Sequence, residues 1–157
     1  MYIDKFLKVS DSQALTATAV ATNVIDLTVA RGIGNGEPVA FVFSVTVAAD
    51  QTSGDEDYTI DVEYSTDAGQ TAGRQIIGRR IFESGTPDAP AQNADLLVSG
   101  FVFAIPLPPT TAGESARYIG VRYTLAGTSP SMTIDAYLAP LKDVGQYVAY
   151  ADNVTIG

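Results

Sequence analysis

Three residue types are missing from this chain, and each absence removes a class of chemistry. There is no cysteine among the 157 residues, so neither a disulfide framework nor a thiolate metal site can be built. There is no histidine, which removes the usual general base and the commonest metal ligand. A Ser–His–Asp triad therefore cannot form around Ser10, Ser12 or Ser44. Tryptophan is absent as well, so any sugar-stacking platform would depend on tyrosine. Charge is sparse and one-sided, with 17% charged residues and 9 basic against 18 acidic ones, a net charge of −9. A phosphate backbone is a poor partner for such a chain, because that binding needs lysine and arginine. The same charge suits a surface that resists non-specific association. Long apolar runs are also lacking, and no stretch approaches the roughly 18 residues of a membrane helix. Lys5 and Lys8 stand where a signal-peptide n-region would, but Thr, Asn and Asp interrupt every apolar run as far as Leu27. The chain is therefore expected to act without crossing a membrane by the secretory route.

What is present is alternation. Tyr58, Ile60, Val62 and Tyr64 alternate with Thr59, Asp61, Glu63 and Ser65, the pattern of a strand with one buried and one wet face. Ile119, Val121, Tyr123 and Leu125 repeat it, as do Met132, Ile134, Ala136 and Leu138. Residues 39–47, VAFVFSVTV, are apolar on both faces through Phe43 and predict a central or covered strand. Residues 96–107 read similarly, with Phe101, Phe103 and Ile105 as the larger face. Residues 75–83 give another strand, in which the adjacent Arg79 and Arg80 point to opposite faces. Runs at 14–20 and 23–29 bring the count to about eight. Turn-forming clusters separate them at 32–38, 52–57, 66–73, 84–95, 108–115 and 126–131. The alanines of TATAVAT could suggest a helix, but their β-branched neighbours favour an extended segment. The prediction is an all-β, two-sheet sandwich of about eight antiparallel strands, with jelly-roll or Greek-key topology. No composition shift marks a second domain, and a chain of this size buries roughly 70% of its unfolded surface.

Each candidate for chemistry has a plainer structural explanation. Asp50, Asp55, Glu56, Asp57, Asp61 and Glu63 concentrate acid as a cation-binding loop would. A calcium loop needs carboxylates at alternate positions around a glycine and a closing glutamate, whereas Gly54 precedes the acidic run. A solvated hairpin is expected there in preference to an adventitious or structural calcium site, and no metal or cofactor site is predicted. GIGNG at 32–36 lacks the spacing of a dinucleotide fingerprint and leads into a strand. Asp26 and Asp135 are the acids placed within apolar strands. They fall short of a glycosidase pair, and Asp26 is expected to face outward or hold a neighbouring amide. No enzymatic activity is predicted.

The ends of the chain are apolar where frayed termini are usually polar. Tyr2, Ile3, Phe6, Leu7 and Val9 lie in the first twelve residues, and Tyr147, Val148, Tyr150, Val154 and Ile156 in the last eighteen. The expected organisation is an N-terminal arm over 1–12, a sandwich over 13–139 and a tail over 140–157. The tail would pack on the sandwich or on a neighbouring subunit. Tyr2, Ile3, Phe6, Leu7, Val9, Tyr147, Tyr150, Val154 and Ile156 are the candidate protein-contact residues, since tyrosine and aliphatic side chains supply contact area.

Several short motifs occur in a distinctive joint order. They are Ser10, Asp11 and Gln13; Ile25, Asp26 and Leu27; Gly36, Glu37 and Pro38; a proline turn over 105–109; and an Arg-Tyr-hydrophobic strand from Arg117 to Gly127. Spread over roughly residues 4–152, this order resembles the jelly-roll capsid cement (decoration) proteins of tailed bacteriophages, departing from them near 56–57 and 84–95. The resemblance implies a jelly-roll virion protein on the outer surface of an icosahedral head, assembled in the host cytoplasm. It implies the major capsid protein as partner and self-association, as a dimer on two-fold positions or as a trimer. It implies neither nucleic acid nor membrane as a partner. The alternative is a carbohydrate-binding or adhesion module on the same scaffold, with Tyr64, Tyr118, Tyr123 and Tyr137 as its stacking residues. Alternation places Tyr64 and Tyr123 on buried faces, which weakens such a platform.

Overall fold

The alternating segments fold into two antiparallel sheets. A computed structural model describes residues 7–31, 33, 36–84, 94–108 and 116–144. The strands are β1 (Lys8–Leu15), β2 (Ala19–Val20), β3 (Ile25–Arg31), β4 (Val39–Val47), β5 (Asp57–Ser65), β6 (Gln75–Glu83), β7 (Val102–Pro106), β8 (Ala116–Ala126) and β9 (Met132–Pro140). A single helical turn, α1 (Leu141–Val144), follows. One sheet has the order β1-β9-β4-β7 and the other β2-β8-β5-β6, with β3 also on β8. The pairs β1·β9, β2/β3·β8, β4·β7 and β5·β6 form one long folded ribbon, which β4·β9 and β5·β8 join into sheets. That is the jelly-roll arrangement, as the alternation and turn spacing predicted.

The core lies between the sheets. Phe41, Phe43 and Val45 of β4 and Ile134 and Ala136 of β9 face Tyr58, Ile60, Val62 and Tyr64 of β5 and Ile119, Val121 and Tyr123 of β8. All of these side chains are buried, and burying each of the larger ones contributes about 1.5–3 kcal/mol. Phe82 of β6 meets the ring of Phe103 from the opposite sheet at 5.1 Å and 67°, closing the sandwich where β6 and β7 approach. β4 is central, between β9 and β7, as its two apolar faces predict.

Three strand expectations change. Residues 14–20 do not form one strand. β1 begins at Lys8, crossing the expected arm–sandwich boundary after residue 12, and ends at Leu15. Ala19 and Val20 then join the other sheet. Thr18 fixes this corner, its hydroxyl bonding both the N–H and the C=O of Leu125. Residues 96–107 likewise contain a 3₁₀ turn at Ala94–Leu96 before β7 starts at Val102.

Candidate functional site

The outer face of the five-stranded sheet carries a grid of buried ion pairs. Asp61 and Glu63 alternate out of the core as expected, but they are not wet, with exposures of 3% and 0%. Strand register explains this: Asp61 stands between Arg79 of β6 and Arg122 of β8. Arg79 grips Asp61 with two bonds, Nε–Oδ1 at 2.6 Å and Nη2–Oδ2 at 2.9 Å. Glu63 accepts from Arg74 Nη2 at 2.6 Å and from Arg122 Nε at 3.2 Å. Arg80, on the other side of β6, lies 5.4 Å from the centre of the Phe82 ring.

A loop completes the cover. Asp67 accepts from the N–H groups of Ala72 and Thr71 and from the Ser65 and Thr71 hydroxyls. These bonds, led by the one from Ala72, hold its carboxyl far below the usual range. The loop so shaped places Gln70 over Gly120, where any Cβ would collide with the Gln70 amide at 2.1 Å. Oriented to satisfy its neighbours, that amide accepts from Gly120 N–H and donates to Val121 O. Arg122 Nη2 donates to Gln70 O at 2.6 Å, fastening loop and sheet together.

The acidic hairpin is exposed at Thr52, Ser53 and Asp55, as expected of a solvated loop, but one of its carboxylates is withdrawn from water. Glu56 is fully buried and accepts from Ser53 N–H, Gly54 N–H, Asp55 N–H and the Ser84 hydroxyl. Desolvation pushes its carboxyl up, but these hydrogen bonds outweigh it and the pKa falls below the ordinary value. Asp55 accepts from the Thr128 N–H and hydroxyl, each at 3.0 Å, and Asp50 accepts from Thr52. Gly127 makes the close approach possible: its φ is +95°, and a Cβ there would lie 2.3 Å from Asp55 O. Among the described residues no three carboxylates converge to hold a metal.

The two acids set within apolar strands are also engaged. Asp26 takes a bidentate grip from Arg117 at 2.9 and 2.8 Å and accepts from Thr28 N–H. Chiefly through Arg117, its pKa falls from 3.8 to about 2. Thr28 has a φ of 66°, a strained conformation for a β-branched residue, within a pairing irregularity between Asp26 and Arg31. Asp135 accepts from Ser12 N–H at 2.6 Å and pairs with Lys8. Ser10 hydrogen-bonds the Tyr123 hydroxyl at 2.7 Å inside the core. Tyr64, Tyr123 and Tyr137 are all buried, and Arg117 stacks on the half-buried Tyr118 at 5.0 Å. Among the described residues these tyrosines form no exposed platform for sugar stacking.

The outer face of the four-stranded sheet is of the opposite kind. Val42, Tyr137 and Ala139 form a second apolar cluster, with Val102, Ala104 and Val144 against it. Of the candidate contact residues, Leu7 is half-buried. Val9 is fully buried in the main core, so it serves packing and not an exposed contact. Its assignment to a free arm fails because β1 starts one residue before it. Tyr2, Ile3, Phe6, Tyr147, Tyr150, Val154 and Ile156 lie outside the described residues. Exposed apolar side chains not singled out from sequence include Val29, Val47, Ile76, Ile81 and Val98. Ile76 and Ile81 fall on an edge strand, where an alternating pattern does not reveal which face is covered.

No helix among the described residues is long and apolar enough to cross a membrane. A comparison with curated proteins found no match. The family model Bbp16, a phage-related family name, matches residues 9–138, which takes in the sandwich from β1 into β9. With most of its length matched in this way, the chain belongs to the Bbp16 family.

Proposed function

We propose that this protein is a structural, non-enzymatic component of a phage virion. In this role it decorates the outside of an icosahedral head and cements neighbouring major capsid protein subunits. The observation that carries the proposal is the match to a phage-related family over residues 9–138, most of the sandwich. The internal use of charge supports it, because Asp26, Asp55, Glu56, Asp61, Glu63 and Asp67 are spent on holding the protein's own strands and loops. These six carboxylates serve the fold, which suits a domain that acts through its contact surface. A net charge of −9 makes it a poor neighbour for packaged DNA and favours the outer surface. Contacts of modest area suffice when a lattice presents many copies at fixed spacing. Self-association as a dimer would add to that multivalency.

Co-sedimentation with purified heads that lack the protein tests this directly. Saturable binding at a fixed ratio to the major capsid protein is expected, together with a higher temperature of head disruption. Binding that does not saturate, or heads no more heat-resistant when coated, would overturn the assignment.

A further inference from the structure

Among the described residues β6 is an edge strand of the five-stranded sheet, and a bulge decides what it shows to the outside. Thr59, Asp61 and Glu63 of β5 share the outer face, and their register partners on β6 are Ile81, Arg79 and Ile76. Strict alternation would put Ile76 on the other side of β6 from Arg79 and Ile81. The register shifts where Val62 faces Gly78 and Glu63 faces Ile76. Ile77, the extra residue, packs against the core, and Ile76 is left on the outer side. Ile76 and Ile81 are 48% and 43% exposed, and neither belongs to a core cluster.

The same strand is cationic. Arg74, Arg79 and Arg80 put three of the nine basic residues into residues 74–80, a stretch without an acid in a chain of net charge −9. Arg74 and Arg79 each spend Nε and Nη2 on a buried carboxylate, Glu63 or Asp61, which leaves Nη1 outside these bonds. The carboxylates lie below the surface while both guanidinium groups are partly exposed, so solvent meets donors here. Arg80 is exposed on the other side of the strand, beside Phe82. A guanidinium already held by a buried partner loses little freedom when it binds a second one.

We propose that the outer side of β6 docks onto the major capsid protein, against a patch that presents carboxylates beside apolar side chains. This inference rests on the reading that the protein coats a head. Charge selects the occupant. A second copy fits poorly: two β6 strands paired in full register about a two-fold axis set Arg79 against Arg79, and like charges directly opposite repel. Phosphate would suit the arginines, but it offers Ile76 and Ile81 no apolar partner and is repelled by the net charge. An arginine between apolar side chains suits the desolvated centre of a protein contact.

Arginine modification by phenylglyoxal, read by mass spectrometry, tests this on the unaltered protein. Arg80 should react in the free protein and be protected several-fold on coated heads. Arg80→Glu and Ile76→Ser should each weaken head binding about tenfold with a melting temperature near that of the parent chain. Lys142→Glu, an equal charge change on α1, should leave binding unchanged. Equal reactivity of Arg80 on and off the heads overturns the docking surface while leaving decoration intact. So does equal weakening by Lys142→Glu, which would trace the effect to net charge. Protection of Arg80 that grows with the concentration of free protein overturns it in favour of a second copy. Binding of a short DNA duplex that is lost in Arg80→Glu overturns it in favour of phosphate. If the parent chain does not bind heads, the proposed role and this surface fall together.

Discussion

Glu63 joins the two arginines Arg74 and Arg122 from a position with no exposure at all. Removing one member of a buried, hydrogen-bonded charge set costs about 3–5 kcal/mol, because the remaining charges stay desolvated. Arg74 and Arg122 keep partial access to water, with side-chain exposures of 36% and 19%, so Glu63→Ala belongs at the lower end, about 3 kcal/mol. Urea unfolding should show a lower midpoint with an unchanged m value. The pair of Lys8 and Asp11 provides contrast, since that aspartate is 73% exposed. Breaking it by Asp11→Ala should cost less than about 1 kcal/mol. A Glu63→Ala effect no larger than the Asp11→Ala effect would mean that the buried grid behaves as a surface network. Alternation in the sequence placed Glu63 on the outer side of β5 correctly. It could not show the cover, because that comes from the side chains of the neighbouring strands β6 and β8 and from the 66–74 loop, and alternation within β5 carries no information about what its neighbours lay over it. The buried Glu56 was hidden for a similar reason: its partners are the backbone N–H groups just before it, and backbone donors have no signature in residue type.

Strand β1 ties the beginning of the chain to both sheets. It pairs with β9 from Lys8 to Leu15, buries Val9 and Leu15, and sends Ser10 across to Tyr123 of the other sheet. Gln13 extends that link, accepting from Ser10 Oγ and Thr22 N–H and donating to Val20 O. Two truncations should therefore behave very differently. Deleting residues 1–6 leaves β1 whole, and the melting temperature should stay within a few degrees of the full chain. Deleting residues 1–12 removes Val9 and Ser10, strands Tyr123 Oη in the core and exposes the edge of β9. Thermal denaturation followed by circular dichroism should then show a loss of cooperative melting. Equal melting temperatures for the two truncations would show that β1 adds nothing to the fold. Most elements were legible in the sequence because the sandwich buries one face of each strand, which writes period two directly into residues such as Tyr58 to Tyr64. The corner at residues 16–18 was not legible. Apolar alternation runs straight through Ala14–Val20, and only the tertiary pull of Leu15 into one sheet and Ala19 into the other divides it.

At the scale of the whole molecule, charge sets the pH range over which the sandwich stands. Asp26, Asp50, Glu56 and Asp67 all have folded-state pKa values below their ordinary ones. A depressed acid adds stability that is present above its unfolded pKa and is lost as pH falls through the folded value. For Asp26 that window runs from 3.8 down to about 2. Tyr58 and Tyr123 are shifted the other way, raised first by desolvation. A raised group contributes below its unfolded pKa, 10.0 for tyrosine, and the contribution is lost as pH climbs through the folded value. Without histidine, no side chain with an ordinary pKa titrates between these limits. Scanning calorimetry should therefore give a melting temperature that is nearly flat from about pH 5 to about pH 9, falls below pH 4 and falls again above pH 10. A step of several degrees between pH 5.5 and 7.5 would contradict this, since it would require a buried acid that none of these hydrogen bonds explains. The flat interval also bears on the proposed role. A protein that must hold a shell together through changes of environment gains from having no switch at neutral pH, and in this sequence that property follows from the same lack of histidine that removed a catalytic base.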